Sequence, residues 1–146
     1  MRRITLGRAL VVLFVACQLV SVDRSNPPAT PGPAAPAAVL AVLERSCYDC
    51  HSHETEWPWY GYVAPASWLM AYDVAEAREH LNFSTWTGYD GAERLELYEE
   101  IFEMVDEQEM PLWYYLLLHS DAELDERDRE ALLSWAGEKL EGGRAR

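Results

Sequence analysis

The sequence predicts an all-α protein, and two observations support this fold class. Apolar residues recur at helical spacing in several segments of the 146-residue chain, and no segment shows the alternation of a half-buried strand. Proline and glycine stand at the edges of these segments, where helices begin and end. Both ends of the chain have a non-globular composition, so the folded part is expected to be one domain of about 105 residues.

Four helices are predicted in this domain, at about residues 39–45, 65–81, 92–106 and 125–141. Pro65 suits the first turn of the second helix, where the N–H that it lacks would have no partner. The third helix turns apolar residues inward and acidic residues outward. Asp125 suits the N-cap of the fourth helix, and Gly142 and Gly143 are expected to end it.

The first 24 residues are predicted to form a targeting segment. Arg2, Arg3 and Arg8 precede an apolar run of about 14 residues, 9–22, in which only two residues are polar. Basic residues before such a run form a secretory or anchor signal whose basic end stays in the cytoplasm. The rest of the chain is therefore expected in the bacterial periplasm.

Three fates are open to this segment. The run is shorter than the roughly 20 residues that span a bilayer comfortably, and no convincing cleavage site follows it. The segment is expected to stay as an uncleaved anchor that tethers the domain to the cytoplasmic membrane. The alternatives are cleavage to a soluble protein and a lipoprotein acylated at Cys17, beside the small residue Ala16.

A proline-rich stretch follows the targeting segment. Residues 26–38 carry five prolines and almost nothing to bury, which is typical of an extended tether between membrane and domain. The predicted organisation is therefore an anchor (1–24), a Pro/Ala-rich linker (25–38), a helical domain (39–141) and a flexible tail (142–146).

Cys47, Cys50 and His51 form a C-x-x-C-H motif, the attachment sequence of a c-type haem. Two thiols about one turn apart suit thioether bonds to the two vinyl groups of one porphyrin. The histidine that follows is placed to bind the iron as the proximal ligand. The motif occurs once, so one covalently attached haem is predicted. Such attachment takes place outside the cytoplasm, in agreement with the predicted export.

Two other uses of a cysteine pair agree less well with the sequence. A thioredoxin-like dithiol occurs within a βαβ pattern, and none is visible in this chain. A zinc site needs further ligands, and the only close one is His53, since His80 and His119 lie far along the chain. Haem attachment is therefore the favoured interpretation.

Met110 is the favoured sixth ligand of the iron. Its thioether is a soft ligand that raises the reduction potential of haem. The residue follows the third helix, and Pro111 directly after it stops the helix and fixes the backbone. A core methionine beside a helix end is the alternative interpretation.

Other side chains compete for the same position. Met70 and Met104 lie at helical positions where core packing is the favoured role. His119 is the strongest alternative ligand, although a polar residue that closes an apolar segment explains it more simply. His80 is weaker, and His53 is too close to the motif to reach the opposite face of the haem.

The formal charge of −13 argues against nucleic-acid binding, because no basic patch is available to neutralise phosphates. Carboxylates cluster in the second half of the chain, at Glu99, Glu100, Glu103, Asp106, Glu107 and Glu109. A solvated helix face is the favoured interpretation of this cluster. A surface that steers a basic redox partner is the alternative.

The chain resembles the bacterial haem-binding domain proteins, which are small membrane-anchored monohaem cytochromes c. The resemblance covers nearly all of residues 20–140. It lies in the post-anchor segment, the haem motif with its aromatic follow-on, two short stretches near the second helix, and the segment that begins Glu109-Met110-Pro111, at residues 20–28, 47–60, 63–69, 81–84 and 109–119.

This resemblance implies a cytochrome c-like helical domain in which Cys47 and Cys50 hold the haem. It also implies that His51 is the proximal ligand and Met110 the distal one. The sequence departs from the family at His53, where the family tends to have Asn, and at Cys17, which is unusual in the anchor.

The expected function is electron transfer by a periplasmic monohaem carrier. Apolar walls around a six-coordinate haem exclude water and fix both ligands, so little rearrangement accompanies the gain or loss of an electron. No convincing catalytic acid or base is present, so the chain is not expected to be an enzyme. The alternatives are a haem-based redox or gas sensor and a weak peroxidase that uses His119 or His80.

Overall fold

The structure is a computed structural model that describes residues 2–145, with side chains from residue 6 onward. Met1 and Arg146, the outermost residues of the predicted anchor and tail, lie outside the described residues. The described chain forms seven α-helices and contains no strand, so the prediction of an all-α fold is confirmed. The helices are α1 (Arg2–Cys17), α2 (Ala37–Ser46), α3 (Tyr48–His51), α4 (Ala66–His80), α5 (Gly91–Asp106), α6 (Trp113–Leu116) and α7 (Glu126–Arg144).

The core lies where α5 and α7 pack together and α2 packs on α7. A chain of aromatic contacts crosses it: the ring centroid of Trp86 lies 5.3 Å from that of Tyr98, which lies 5.2 Å from that of Trp135. Edge-on contacts of this kind add to the free energy gained by burying the rings. The buried residues of this core are Val39, Val42, Leu43, Leu81, Phe83, Trp86, Leu97, Tyr98, Ile101, Val105, Leu132, Trp135 and Ala136.

Capping boxes fix the starts of the two longest domain helices. The Asp125 carboxylate accepts a hydrogen bond from the Asp128 backbone N–H (2.8 Å), and the Asp128 carboxylate accepts one from the Asp125 N–H (3.2 Å). Asp90 and Glu93 form the same reciprocal pair at the start of α5. Each box satisfies N–H groups that have no partner within the helix. The predicted N-cap at Asp125 is therefore confirmed.

The last helix runs past its predicted end. Gly142 and Gly143 were expected to stop it, but α7 continues to Arg144. Gly143 lies so close to the Leu95 side chain of α5 that a Cβ there would overlap it. Arg144 forms an ion pair with Glu99 at 2.8 Å. The glycine thus permits a close approach between two helices and does not end one.

The proline-rich segment lies on the domain. The Thr30 N–H donates to the Ser84 carbonyl (2.7 Å), and the Asn26 side-chain amide donates to the Thr55 carbonyl (3.0 Å). The Trp135 indole N–H donates to the Ala34 carbonyl (3.4 Å). Residues 26–36 form no regular secondary structure, and these hydrogen bonds hold them against the domain.

The predicted anchor forms helix α1. Its large apolar side chains between Leu6 and Val15 are 51–68% exposed, so the domain does not cover them. Across residues 2–145, no helix combines the length and the apolar character that crossing a membrane would need.

The contact of Trp135 with Tyr98 predicts a large loss of stability in Trp135→Ala. Trp135 is 3% exposed, and its removal leaves a cavity between α5 and α7. We expect the free energy of unfolding in urea to fall by about 3–5 kcal/mol. The matched control is Trp113→Ala, whose side chain is 73% exposed and which should change stability by roughly 0.5 kcal/mol or less. Equal losses in the two variants would contradict this account of the core.

Candidate functional site

A cavity of about 420 Å³ lies between α3, α4, α5 and the segment that leads into α6. Its walls are mainly apolar, and both cysteines and the histidine of the C-x-x-C-H motif belong to them. The apolar lining residues are Leu43, Ala77, Leu81, Phe83, Ile101, Met104, Val105, Met110, Pro111, Leu112, Leu124 and Leu132. A space of this size and character suits a flat apolar prosthetic group.

The motif is wound into a single helical turn. The Cys47 carbonyl accepts hydrogen bonds from the backbone N–H groups of Cys50 (3.1 Å) and His51 (2.9 Å). This turn places both thiols at the cavity, and both are free. Burial raises the pKa of each thiol to about 12, so both are neutral near pH 7. The cysteines are thus available for bonds to a group inside the cavity.

The His51 imidazole is oriented by the end of α4. Its Nδ1 lies 3.1 Å from the Ala77 carbonyl and 3.0 Å from the Leu81 carbonyl. Because both partners are acceptors, Nδ1 carries the proton and Nε2 keeps its lone pair. Burial lowers the pKa of His51 below its ordinary value, which favours the neutral ring. A neutral imidazole fixed through Nδ1 is the form in which histidine binds a metal.

Arg78 fastens the motif to α4 and to the proline-rich segment. Its Nε donates to the Ser52 carbonyl at 2.7 Å, directly after the motif. Its Nη2 donates to the side-chain oxygens of Asn26 and Thr55, both at 2.9 Å. The sequence pattern does not point to this residue. A lone arginine on a helix gives no sign of its partners, because they come from distant parts of the chain.

Two methionines reach the cavity. Met110, the favoured distal ligand, lines it, and so does Met104. The Met104 carbonyl accepts hydrogen bonds from the N–H groups of Glu109 (3.0 Å) and Met110 (3.3 Å), so the turn after α5 brings the two residues together. The sequence assigned Met104 to core packing. Met104 lies four residues after Glu100 and three after Ile101, which also line the cavity, and this helical spacing was the sign that it shares their face.

The histidines outside the motif take three different positions. His119, the alternative distal ligand, is not among the cavity-lining residues. Its Nε2 lies 2.9 Å from the Tyr60 hydroxyl, and its ring stacks on Tyr115. His80 does line the cavity, with Glu76 at 3.6 Å and Glu100 at 4.0 Å. His53 contacts the Pro28 carbonyl and the Asn82 side chain, and it does not line the cavity.

Two tyrosines tie the Met110 segment to the motif side of the cavity. The Tyr115 hydroxyl donates to the Asp49 carboxylate at 2.9 Å, and the Tyr114 hydroxyl donates to Asp73 of α4 at 3.3 Å. The other Asp49 oxygen accepts from the Glu56 backbone N–H at 2.9 Å. Burial raises the pKa of Tyr115 and of Asp73. We call the Tyr115–Asp49 and Tyr114–Asp73 hydrogen bonds the tyrosine clasps.

The residues of the cavity fit a covalently held haem. Two neutral thiols stand one turn apart, and a neutral imidazole beside them keeps Nε2 for a metal. The thioethers of Met104 and Met110 at the cavity wall are soft donors of the kind that haem iron accepts. Apolar walls complete the set. The structure therefore brings together Cys47, Cys50, His51 and Met110, and it leaves His119 outside.

Comparison with known proteins gives one family match. A family model described as "Haem-binding domain" matches residues 12–138 of the chain. Neither the curated proteins nor the solved structures give a match.

The tyrosine clasps predict that Tyr115→Phe loosens the Met110 segment. Loss of a hydrogen bond to a carboxylate at a partly buried site costs about 1–2 kcal/mol. Local opening of residues 112–118 should therefore become roughly tenfold more frequent, which amide hydrogen exchange would detect as faster exchange there. Tyr62→Phe, at a 60% exposed ring, is the matched control and should leave that segment unchanged. Unchanged exchange in Tyr115→Phe would show that the clasp does not hold the segment.

Proposed function

The chain belongs to the haem-binding domain family, and from this premise we propose that it is a monohaem c-type cytochrome. Its role would be electron transfer on the periplasmic side of a bacterial membrane. One observation carries the proposal: Cys47, Cys50 and His51 line the same apolar cavity, and His51 is fixed through Nδ1.

Each donor has a separate role in this proposal. Cys47 and Cys50 would hold one haem through thioether bonds, and His51 would bind its iron through Nε2. Met110 would supply the second protein ligand, with Met104 beside it in the cavity wall. The bound haem supplies the chemistry of the site, a one-electron change at its iron.

The surroundings of the donors favour electron transfer over catalysis. Apolar side chains form most of the cavity wall, and hydrogen bonds hold both ligand segments. His51 is held by the Ala77 and Leu81 carbonyls, and the Met110 segment is held by the tyrosine clasps. Fixed ligands in a mainly apolar pocket lower the cost of reorganisation when an electron arrives or leaves. The proposal assigns no catalytic acid or base, and peroxide turnover by the haem-loaded protein would contradict it.

A basic redox partner suits the charge of the site. Four carboxylates line the cavity, at Asp49, Asp73, Glu76 and Glu100, and no lysine or arginine does among the side chains described, those of residues 6–145. With a formal charge of −13 for the whole chain, the field near the cavity attracts cations and repels anions. We propose that the partner presents a basic surface to this region. The same field disfavours nucleic acid as a partner.

The proposed location follows from the haem chemistry and from residues 1–24. Covalent haem is attached outside the cytoplasm, and a basic start followed by an apolar helix directs export. We propose that this segment remains as a membrane anchor. Acylation of Cys17 and cleavage to a soluble protein are the alternatives, and the intact mass of the purified protein separates the three.

The cysteine roles predict that the double variant Cys47→Ala, Cys50→Ala carries no covalent haem. Without thiols no thioether can form, so haem should be extracted completely under denaturing conditions, and the protein mass should lack the haem increment. The control is Cys17→Ala, which removes the remaining cysteine and should keep full covalent haem. Haem that stays attached through denaturation in the double variant would overturn the assignment.

The assignment of Met110 predicts that Met110→Ala lowers the reduction potential and opens the iron to carbon monoxide. Loss of a thioether ligand removes its preference for reduced iron. The reduced wild type should bind almost no CO, whereas the variant should bind about one equivalent. Absorption spectroscopy and potentiometric titration measure both effects.

Met104→Ala and Met70→Ala are the controls for this experiment. Met70 lies outside the cavity lining, against Gly61, and should have no effect on the iron. If Met104→Ala, and not Met110→Ala, opened the iron, the distal role would pass to Met104. Ready CO uptake by the wild type would instead support a gas sensor.

A further inference from the structure

We propose that the protein surface around the 3₁₀ turn Trp59–Tyr62 lies in the headgroup layer of the membrane. The domain would then rest directly against the bilayer and would not move freely on a long tether. This inference rests on the membrane attachment in the proposed function and adds the surface that meets the lipid. We call Trp59, Tyr62 and Leu69 the interfacial patch.

The end of α1 is fastened to the domain beside this patch. The Gln18 side-chain amide donates to the Ala64 carbonyl (3.2 Å), and its oxygen accepts from the Ala64 N–H (2.9 Å). Arg24 donates to the Gly61 carbonyl at 2.8 Å, and its guanidinium lies 4.7 Å from the centre of the Tyr62 ring. No flexible linker therefore separates the end of α1 from the domain.

Residues 25–30, which follow in the chain, are also hydrogen-bonded to the domain. Arg78 binds the Ser25 carbonyl and the Asn26 side chain, and Thr30 pairs with Ser84. The proline-rich segment thus lies along the domain surface and does not separate it from α1. Wherever the C-terminal end of α1 is placed, residues 59–64 are placed with it.

The patch exposes large apolar side chains where α1 leaves the domain. Trp59 is 78% exposed, Tyr62 60% and Leu69 54%. Trp and Tyr are enriched at membrane interfaces because each joins an apolar ring to a polar group that stays hydrated. Exposure of these rings to water at the junction with an apolar helix fits a lipid surface as the occupant.

The charge of residues 57–72 also favours lipid as the partner of this surface. Residues 57–72 contain no charged side chain, although a quarter of the whole chain is charged. Lipid phosphates repel carboxylates and attract cations, so a stretch without carboxylates suits contact with the headgroup layer, and the Arg24 guanidinium over Tyr62 does not oppose it. An interface with a basic protein would instead require carboxylates, which this stretch lacks.

The length of α1 brings the patch to the right depth. Its 16 residues extend about 24 Å, but Arg2, Arg3 and Arg8 leave only residues 9–17 as its apolar part, about 14 Å long, which is less than the roughly 30 Å of a hydrocarbon core. A short apolar helix draws its flanking residues toward the bilayer, so the Gln18–Ala64 junction would lie at the interface. Acylation of Cys17 would place the same junction at the membrane surface, because Cys17 directly precedes Gln18.

Photo-crosslinking to lipid tests the proposal with the full haem-loaded chain. The protein is reconstituted in phosphatidylcholine vesicles that contain a phospholipid with a photoreactive group near its glycerol. After irradiation, adducts are mapped by digestion and mass spectrometry. We expect residues 57–72 to carry at least tenfold more adducts than residues 113–118, which expose Trp113, Leu117 and Leu118 to a similar extent.

A pair of double variants sharpens the test. Trp59→Ser with Tyr62→Ser should remove most adducts from residues 57–72. The matched control, Trp113→Ser with Leu117→Ser, should leave those adducts unchanged. Haem absorbance in each sample shows that the variants are folded and loaded.

The outcomes separate this inference from the function that it rests on. Adducts confined to α1 would overturn the interfacial patch and leave membrane attachment standing, as would equal labelling of residues 57–72 and 113–118. A protein that does not sediment with the vesicles would overturn both the patch and the attachment. Haem loading and reduction are measured independently in every sample, so the crosslinking result does not decide the proposal of electron transfer.

Discussion

The architecture of the site depends on one imidazole being held by the end of one helix. The Ala77 carbonyl in the last turn of α4, which also accepts the Leu81 N–H (2.9 Å), and the Leu81 carbonyl directly after this helix both accept the proton of His51 Nδ1. This contact docks α3 on α4 and fixes the direction of Nε2. Because Cys47 and Cys50 share the same helical turn, their thiols are oriented by the same contact.

The opposite wall of the cavity is tied to this fixed point. Asp49 lies between the two cysteines, and its carboxylate holds both Tyr115 and the backbone N–H of Glu56. Asp49 occupies one of the two variable positions of the C-x-x-C-H motif. It links the cavity wall that contains His51 to the wall that contains Met110. The positions of the two proposed axial ligands are therefore coupled through Asp49, and the segment after α5 is not an independent loop.

Charge divides the surface into two regions with different uses. Carboxylates border the cavity, whereas residues 57–72 carry no charge and adjoin the end of α1. On the proposed function, the first region would face a basic partner and the second would face lipid. Although the formal charge of the whole chain is −13, residues 57–72 carry no carboxylate that lipid phosphates would repel.

The sequence by itself determined the helices and the motif, because both depend on local spacing. Helical periodicity located α2, α4, α5 and α7, and the Asp125 cap was found from neighbouring residues alone. Only the tertiary structure decided that Arg78 braces the motif, that Met104 joins Met110 at the cavity, and that the proline-rich segment is held on the domain. Those features are contacts between residues far apart in the chain, and local spacing carries no information about such partners.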